Sequence, residues 1–227
     1  MNIKVRQSLL WMSIAVVATG AMTGCASMSK SQKGAIIGAA AGGVAGGVIG
    51  GNNGSTTKGA IIGAVIGGAA GAIIGHQMDK QASELSQEIP GATVERVGEG
   101  IQITFDSGLL FDFDSDVIKG AAQSNLNNLA ASLNKYSDSN LLIAGHTDDV
   151  GAGDYNQGLS ERRASAAARY LASQGVTRTI RTVGLGEREP VASNTTDAGQ
   201  AANRRVEVAI YANDALQQKA KLEAAGG

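Results

Sequence analysis

Between about residues 92 and 212 the apolar positions follow two periods. "TVERV" and "IQITF" flank Gly98-Glu99-Gly100 and predict two strands joined as a β-hairpin. Ala122, Leu126, Leu129 and Leu133 recur at helical spacing and mark one buried helix face. "LLIAG" (141–145) predicts a short buried strand, and residues 159–171 a second helix. "IRTVGLG" (180–186) reads as another strand, and "RVEVAIY" (205–211) alternates with Val206, Val208 and Ile210 inward. Strands alternating with helices in this way predict an α/β fold, a mixed β-sheet packed by helices with at least one parallel crossover. The polar run from 213 to 227 reads as a tail.

Upstream the pattern changes. "KGAIIGA" at 33–39 recurs at 58–64, and each copy begins a ladder of glycines every fourth residue: 34, 38, 42, 46, 50 and then 59, 63, 67, 71, 75. A four-residue step stays near one face of a helix and leaves a groove for another backbone. With "GNNGSTT" as the turn between the ladders, residues 33–76 predict a helical hairpin, which resembles the glycine-zipper segments of bacterial envelope lipoproteins. Glycine costs a helix about 1 kcal/mol relative to alanine, so these segments need close helix packing, including self-association of copies, or an apolar surrounding. Each uncharged run is about 25 Å long as a helix, slightly short of a membrane core of roughly 30 Å. A flexible Gly/Ala linker needs glycine content but no register, so the strict spacing argues against it. Met78, Ala82, Leu85 and Ile89 then predict an amphipathic helix over 77–91 that ends at Pro90 and spaces the next domain from the membrane.

The first 24 residues carry Lys4 and Arg6, an apolar stretch from Leu9 to Ala18, and small residues before Cys25, the layout of a secretory signal. Met22-Thr23-Gly24-Cys25 resembles the bacterial lipobox, which implies a lipid on Cys25 and a short linker over 25–32. Cys25 is the chain's one cysteine, so no intrachain disulfide forms. Removing residues 1–24 takes away two cations and no acid, shifting the formal charge from −1 to −3. That balance disfavours nucleic acid as a partner. By the same resemblance, Ala26 in place of Asp favours the outer membrane.

The densest chemistry lies in "GHTDDVGAGDYNQGLSERRASAAARYL" (145–171). Asp148 follows the end of a predicted strand and Arg163 lies one or two turns into the next helix, the rim where open α/β sheets bind ligands. Thr147-Asp148, ten residues, Leu159-Ser160, two residues, Arg163-Ala164 is similar to the signature of the OmpA-like domain family. "FDFDSD" (111–116) and Asn203-Arg204-Arg205 also fit that family, and the match covers roughly residues 100–212. With its lipobox and glycine ladder, the chain resembles OmpA-family outer-membrane lipoproteins of the YiaD type.

This resemblance implies non-covalent binding of peptidoglycan through the diaminopimelate of its stem peptide, and tethering of the outer membrane to the cell wall. One end of diaminopimelate is a free zwitterion: Asp148 suits its ammonium, and Arg163 its carboxylate through two parallel bonds. By position in the motif, Asn156 contacts the stem peptide or braces the loop, and Thr147 fixes the turn that aims Asp148. Of Arg204 and Arg205, one faces the rim and the other points outward. Asp149 reads as a solvated loop charge, and Asp154, in capping-box spacing with Gln157, as a helix N-cap. An enzyme would need more: His146 and Asp148 could converge on a metal, but a third ligand is lacking, and the other histidine is His76. The chain therefore reads as a binding protein with no cofactor or metal. A third class, a structural oligomer built on the ladders, differs in making residues 33–75 the working part.

Overall fold

The computed structural model describes residues 55–226. The signal, Cys25, the 25–32 linker and the first glycine ladder lie outside them. Helix α1 (Thr56–Gly63) and helix α2 (Gly68–Glu88) precede a hairpin of strands β1 (Ala92–Val97) and β2 (Gly100–Asp106). A single turn α3 (Ser107–Leu110), helix α4 (Gly120–Lys135), strand β3 (Ser139–His146), helix α5 (Gly153–Ser173) and strand β4 (Ile180–Gly186) follow. Helix α6 (Asp197–Asn203), strand β5 (Arg205–Ala212) and helix α7 (Asp214–Gly226) complete the order.

The five strands pair in the order β1-β2-β5-β3-β4. All neighbours are antiparallel except β3 and β4, which α5 joins as a crossover. The sheet is therefore mixed, as the sequence predicts. The crossover helix lies so near the sheet that a Cβ on Gly145 would collide with the Ser160 carbonyl, and one on Gly184 with Glu161 and Ser160. Only glycine permits this approach, so these two residues set the depth at which α5 presents its side chains above the strand ends.

The main core fills the space between one sheet face and helices α2, α4, α5 and α7. Leu126, Leu129 and Leu133 of α4 share that core with Val206, Val208 and Ile210 of β5, as their periods predict. The opposite sheet face is also covered. Ala60 and Ile61 of α1 and its C-cap residue Ala64 pack on Leu142, Ala209 and Tyr211. Every residue of β5 is consequently buried.

Three expectations are corrected. The second ladder does not form one helix of a hairpin. The chain breaks after Gly63, and Gly67 and Gly68 take left-handed backbone with φ of 68° and 63°, a conformation open to glycine at little cost. Gly59 and Gly63 face open space in place of a helix. Second, α2 runs without interruption across the division drawn at residues 76 and 77, and it is no detached spacer. Ile74, Met78, Ala82 and Leu85 are buried in the main core, so the folded unit extends well upstream of residue 92. Third, residues 213–227 are not a trailing tail: Leu216 and Ala220 of α7 bury themselves in the same core, beside α2.

Candidate functional site

Where β3 ends, its register with β4 slips between Gly145 and His146, and the chain leaves the sheet through Thr147 and Asp148. The Thr147 amide still donates to the Gly186 carbonyl at 3.0 Å, so the turn starts from a fixed point. Facing it are α3, the loop 111–118 and the first turns of α5. Between them lies a cleft of about 510 Å³ whose lining includes Phe111, Thr147, Asp148, Asn156, Arg163 and Arg204.

Asp148 and Arg163 form its charged floor, 7% and 5% exposed. They are not paired with each other. Asp148 Oδ1 accepts the Val150 amide at 3.3 Å, and Oδ2 accepts from Arg204. Arg163 donates through Nε to the Ser115 carbonyl at 2.9 Å, and its guanidinium lies 5.3 Å from the centre of the Phe111 ring. One edge and one face of the guanidinium are thus held. The two terminal nitrogens keep the fork that matches a carboxylate, with no carboxylate partner among the described residues. Burial lowers the Arg163 pKa from its ordinary value, opposed by Asp114 and Tyr155. The cleft thus offers an acceptor for a cation and a fork for an anion.

The remaining expected residues divide. Asn156 braces the loop: its Nδ2 donates to the carbonyl of Val150 at 3.1 Å, with a longer approach to that of Asp148 at 3.4 Å. Thr147 lines the cleft, and its buried hydroxyl has no partner. Arg204 is the arginine of the cleft, whereas Arg205 is not part of it and does not point outward. Arg205 lies buried on the α1 side of the sheet, where its Nε donates to Glu207 at 2.7 Å and its Nη2 to the Glu189 carbonyl at 3.1 Å. Adjacent residues of a strand point to opposite faces, and this one is buried on both. Asp154 is no N-cap either. Ala152 holds that position, and Asp154 sits in the first turn of α5.

His146 and Asp148 do not converge. His146 is buried beside Arg205 and 3.7 Å from Glu207. Burial, reinforced by Arg205, lowers its pKa to about 3. Thr57 of α1 donates to Glu207, and Thr56 donates through amide and hydroxyl to Glu189. This second polar cluster anchors α1 to the sheet. No group of three or more potential metal ligands occurs among the described residues.

Sequence reasoning gave no role to Asn203, which precedes the two arginines. Its side-chain oxygen accepts the amides of Val191 and Ala192, and its Nδ2 donates to the Ala192 carbonyl and Asn194. It thereby pins the loop before α6 and fixes where Arg204 starts. Its only sequence signal is its place in the Asn-Arg-Arg triplet.

A family model described as the OmpA family matches residues 110–204, and one described as a YMGG-like Gly-zipper matches residues 3–79. The peptidoglycan-associated lipoprotein of Brucella melitensis biotype 1 is 35% identical over 116 residues, which cover 51% of this chain and 69% of that one. The chain belongs to the OmpA family. A second relative, the probable lipoprotein YiaD of Escherichia coli (strain K12), is 37% identical over 138 residues, 60% of this chain and 63% of its own length. Two larger outer-membrane relatives are spanned for only 35% and 33% of their lengths. Among solved structures, the cell wall anchor of the T6SS from Pseudomonas aeruginosa superposes with a TM-score of 0.53 at 28% identity, covering 60% of this chain and 97% of that one. The OmpA-like fold is therefore shared, and all of the cleft lining except Ser107 and Gly108 falls within residues 110–204.

Proposed function

We propose that this chain is a lipid-anchored outer-membrane protein that binds peptidoglycan non-covalently and so tethers the outer membrane to the cell wall. The cleft takes the free zwitterionic end of diaminopimelate in the stem peptide. The observation that carries this reading is that Asp148, held by Arg204, and Arg163, held by Ser115, share one buried floor without pairing with each other. A zwitterion is the ligand that satisfies both at once. Arg163, held at Nε by Ser115, forks onto the carboxylate, and Asp148 receives the ammonium while Arg204 keeps its carboxylate oriented. Charge-assisted bonds contribute about 1.5–3 kcal/mol each, so two of them together with a few neutral contacts support a Kd in the micromolar to millimolar range. Such weak binding is sufficient for a domain confined beside the wall, because a tether raises effective concentration. A relative named for peptidoglycan association supports the same reading.

The test is co-sedimentation of the protein with purified cell-wall sacculi, alongside melting curves. Asp148→Ala and Arg163→Ala should each cost about 2–5 kcal/mol of binding, because a ligand charge is left desolvated and unpaired. From a weak starting affinity that abolishes detectable binding while the fold persists. Walls with lysine in place of diaminopimelate lack the extra carboxylate and should bind poorly. Undiminished binding by well-folded variants would remove the site.

A further inference from the structure

Phe111 and Phe113 lie two residues apart in "FDFDSD" and have opposite fates. Phe111 is 1% exposed and backs Arg163, whereas Phe113 is 98% exposed. Phe113 also lines the cleft, together with Val150 at 60% and Tyr155 at 46% exposure. These are three of the eight large hydrophobic residues exposed among the described residues, gathered at one opening. Scattered surface apolar residues are ordinary, but a cluster bordering a charged cleft marks a contact surface.

The loop that carries Phe113 is held, so its exposure is built in. Phe111 and Ile118 close its base as an antiparallel bridge, and the Ser115 amide donates to the Asp112 carbonyl at 3.2 Å. Arg163 grips Ser115 from α5. Asp114 sits in left-handed backbone with φ of 55°, uncommon for a residue other than glycine, and the Tyr155 hydroxyl donates to its carboxylate. That bond ties the Tyr155 ring to the residue that follows Phe113. The Tyr155 ring and the backbone that carries Phe113 are therefore held at the mouth of the cleft, where Asp112 and Asp114 are also exposed.

We propose that Phe113, Tyr155 and Val150 form a second subsite that packs against the apolar face of a neutral N-acetylated sugar ring of the polymer. The inference rests on the reading of the cleft as the seat of the stem peptide. A peptide whose distal zwitterion fills the floor must leave across this rim, so its polymer is carried over the aromatic side chains. Charge around the rim is mixed, with Asp112 paired to Lys119 and Arg162 lying 6.0 Å from the centre of the Tyr155 ring, so it selects neither a cationic nor an anionic occupant and leaves acceptors for hydroxyls, which favours a neutral saccharide. Ring-on-ring packing supplies contact area at low cost in side-chain entropy.

Two probes separate the contributions, both titrated against the full chain by calorimetry. One is a disaccharide carrying a diaminopimelate-containing tetrapeptide. The other is the same tetrapeptide without sugar, acetylated at its first residue so that no new charge appears. The wild type should bind the sugar-bearing probe roughly 3- to 30-fold more tightly. Phe113→Ala should bring that ratio to within about twofold while leaving the sugar-free affinity unchanged. Tyr155→Phe, which keeps the ring, should retain most of it. Equal wild-type affinities for the two probes overturn the subsite, as does a Phe113→Ala variant that weakens both alike. If the wild type binds neither probe, the reading of the cleft itself fails, and the subsite falls with it.

Discussion

Arg204 and Arg205 are neighbours in sequence with different work. Arg204 reaches the cleft and orients Asp148, whereas Arg205 neutralises Glu207 beneath α1. His146 shares that second cluster and carries the clearest pH dependence. Its pKa is lowered to about 3 from an ordinary 6.5, first by burial and then by Arg205. The native state therefore refuses a proton that the unfolded chain accepts below about pH 6.5. Stability is complete above that value and falls as pH drops toward 3, at a slope approaching ~1.4 kcal/mol per unit. Glu189, its pKa raised by burial, gains native protons as pH falls and opposes this trend. Burial alone would raise Glu207, but Arg205 and the bond from Thr57 hold it below the usual carboxylate range, so its contribution is lost at lower pH. His146→Gln keeps the carboxylates in place, so the difference between wild-type and variant melting temperatures isolates the histidine. The wild type should lose melting temperature more steeply between pH 6.5 and 4.5, and equal slopes would show that the ring is not held neutral.

At the scale of elements, α1 is the least expected. Taken from a glycine ladder, it is eight residues long and could not persist alone in water. Two sets of contacts hold it on the sheet: Ala60, Ile61 and Ala64 against Leu142, Ala209 and Tyr211, and Thr56 and Thr57 against Glu189 and Glu207. Ser55 caps its first turn by accepting the Lys58 amide. Ile61→Ala removes the largest apolar anchor and should cost about 2–4 kcal/mol of docking. Because α1 lies at the edge of the fold, that loss should appear as local opening. Hydrogen exchange of amides 56–63 should accelerate while β3 stays protected. Uniform acceleration through the sheet would instead make α1 part of the global folding unit.

For the whole molecule, the sheet is covered on both faces and no helix among the described residues is long and apolar enough to cross a membrane. We propose that attachment to a membrane rests on Cys25, as the resemblance of Met22-Thr23-Gly24-Cys25 to a lipobox implies. The mature protein should begin at a lipid-modified Cys25, read from the mass of its N-terminal peptide. Cys25→Ser should move it from the membrane fraction to the soluble periplasmic fraction. A wild-type protein with an unmodified Cys25, or a variant that stays with the membrane, would shift the anchor to the glycine ladders.

Periodicity and motif spacing determined the strands and helix faces and pointed to the candidate pair Asp148 and Arg163. A period of two or 3.6 is a local property, so the strands from 92 to 212, the helix faces of α4 and α5, and Asp148 and Arg163 at the rim were all legible from residues near one another in sequence. Contacts between distant segments decided the rest. Pairing β5 between β2 and β3, with helices over both faces, decided that Arg204 enters the cleft and Arg205 is buried on the other side. Strand alternation separates neighbours but cannot say which face holds which ligand. Glycine spacing read as helix-to-helix packing, yet a sheet face needing cover took up α1, and the core took up α2 and α7. Burial decided between Phe111 and Phe113 in the same way: two identical side chains two residues apart differ only in what the folded chain brings against them.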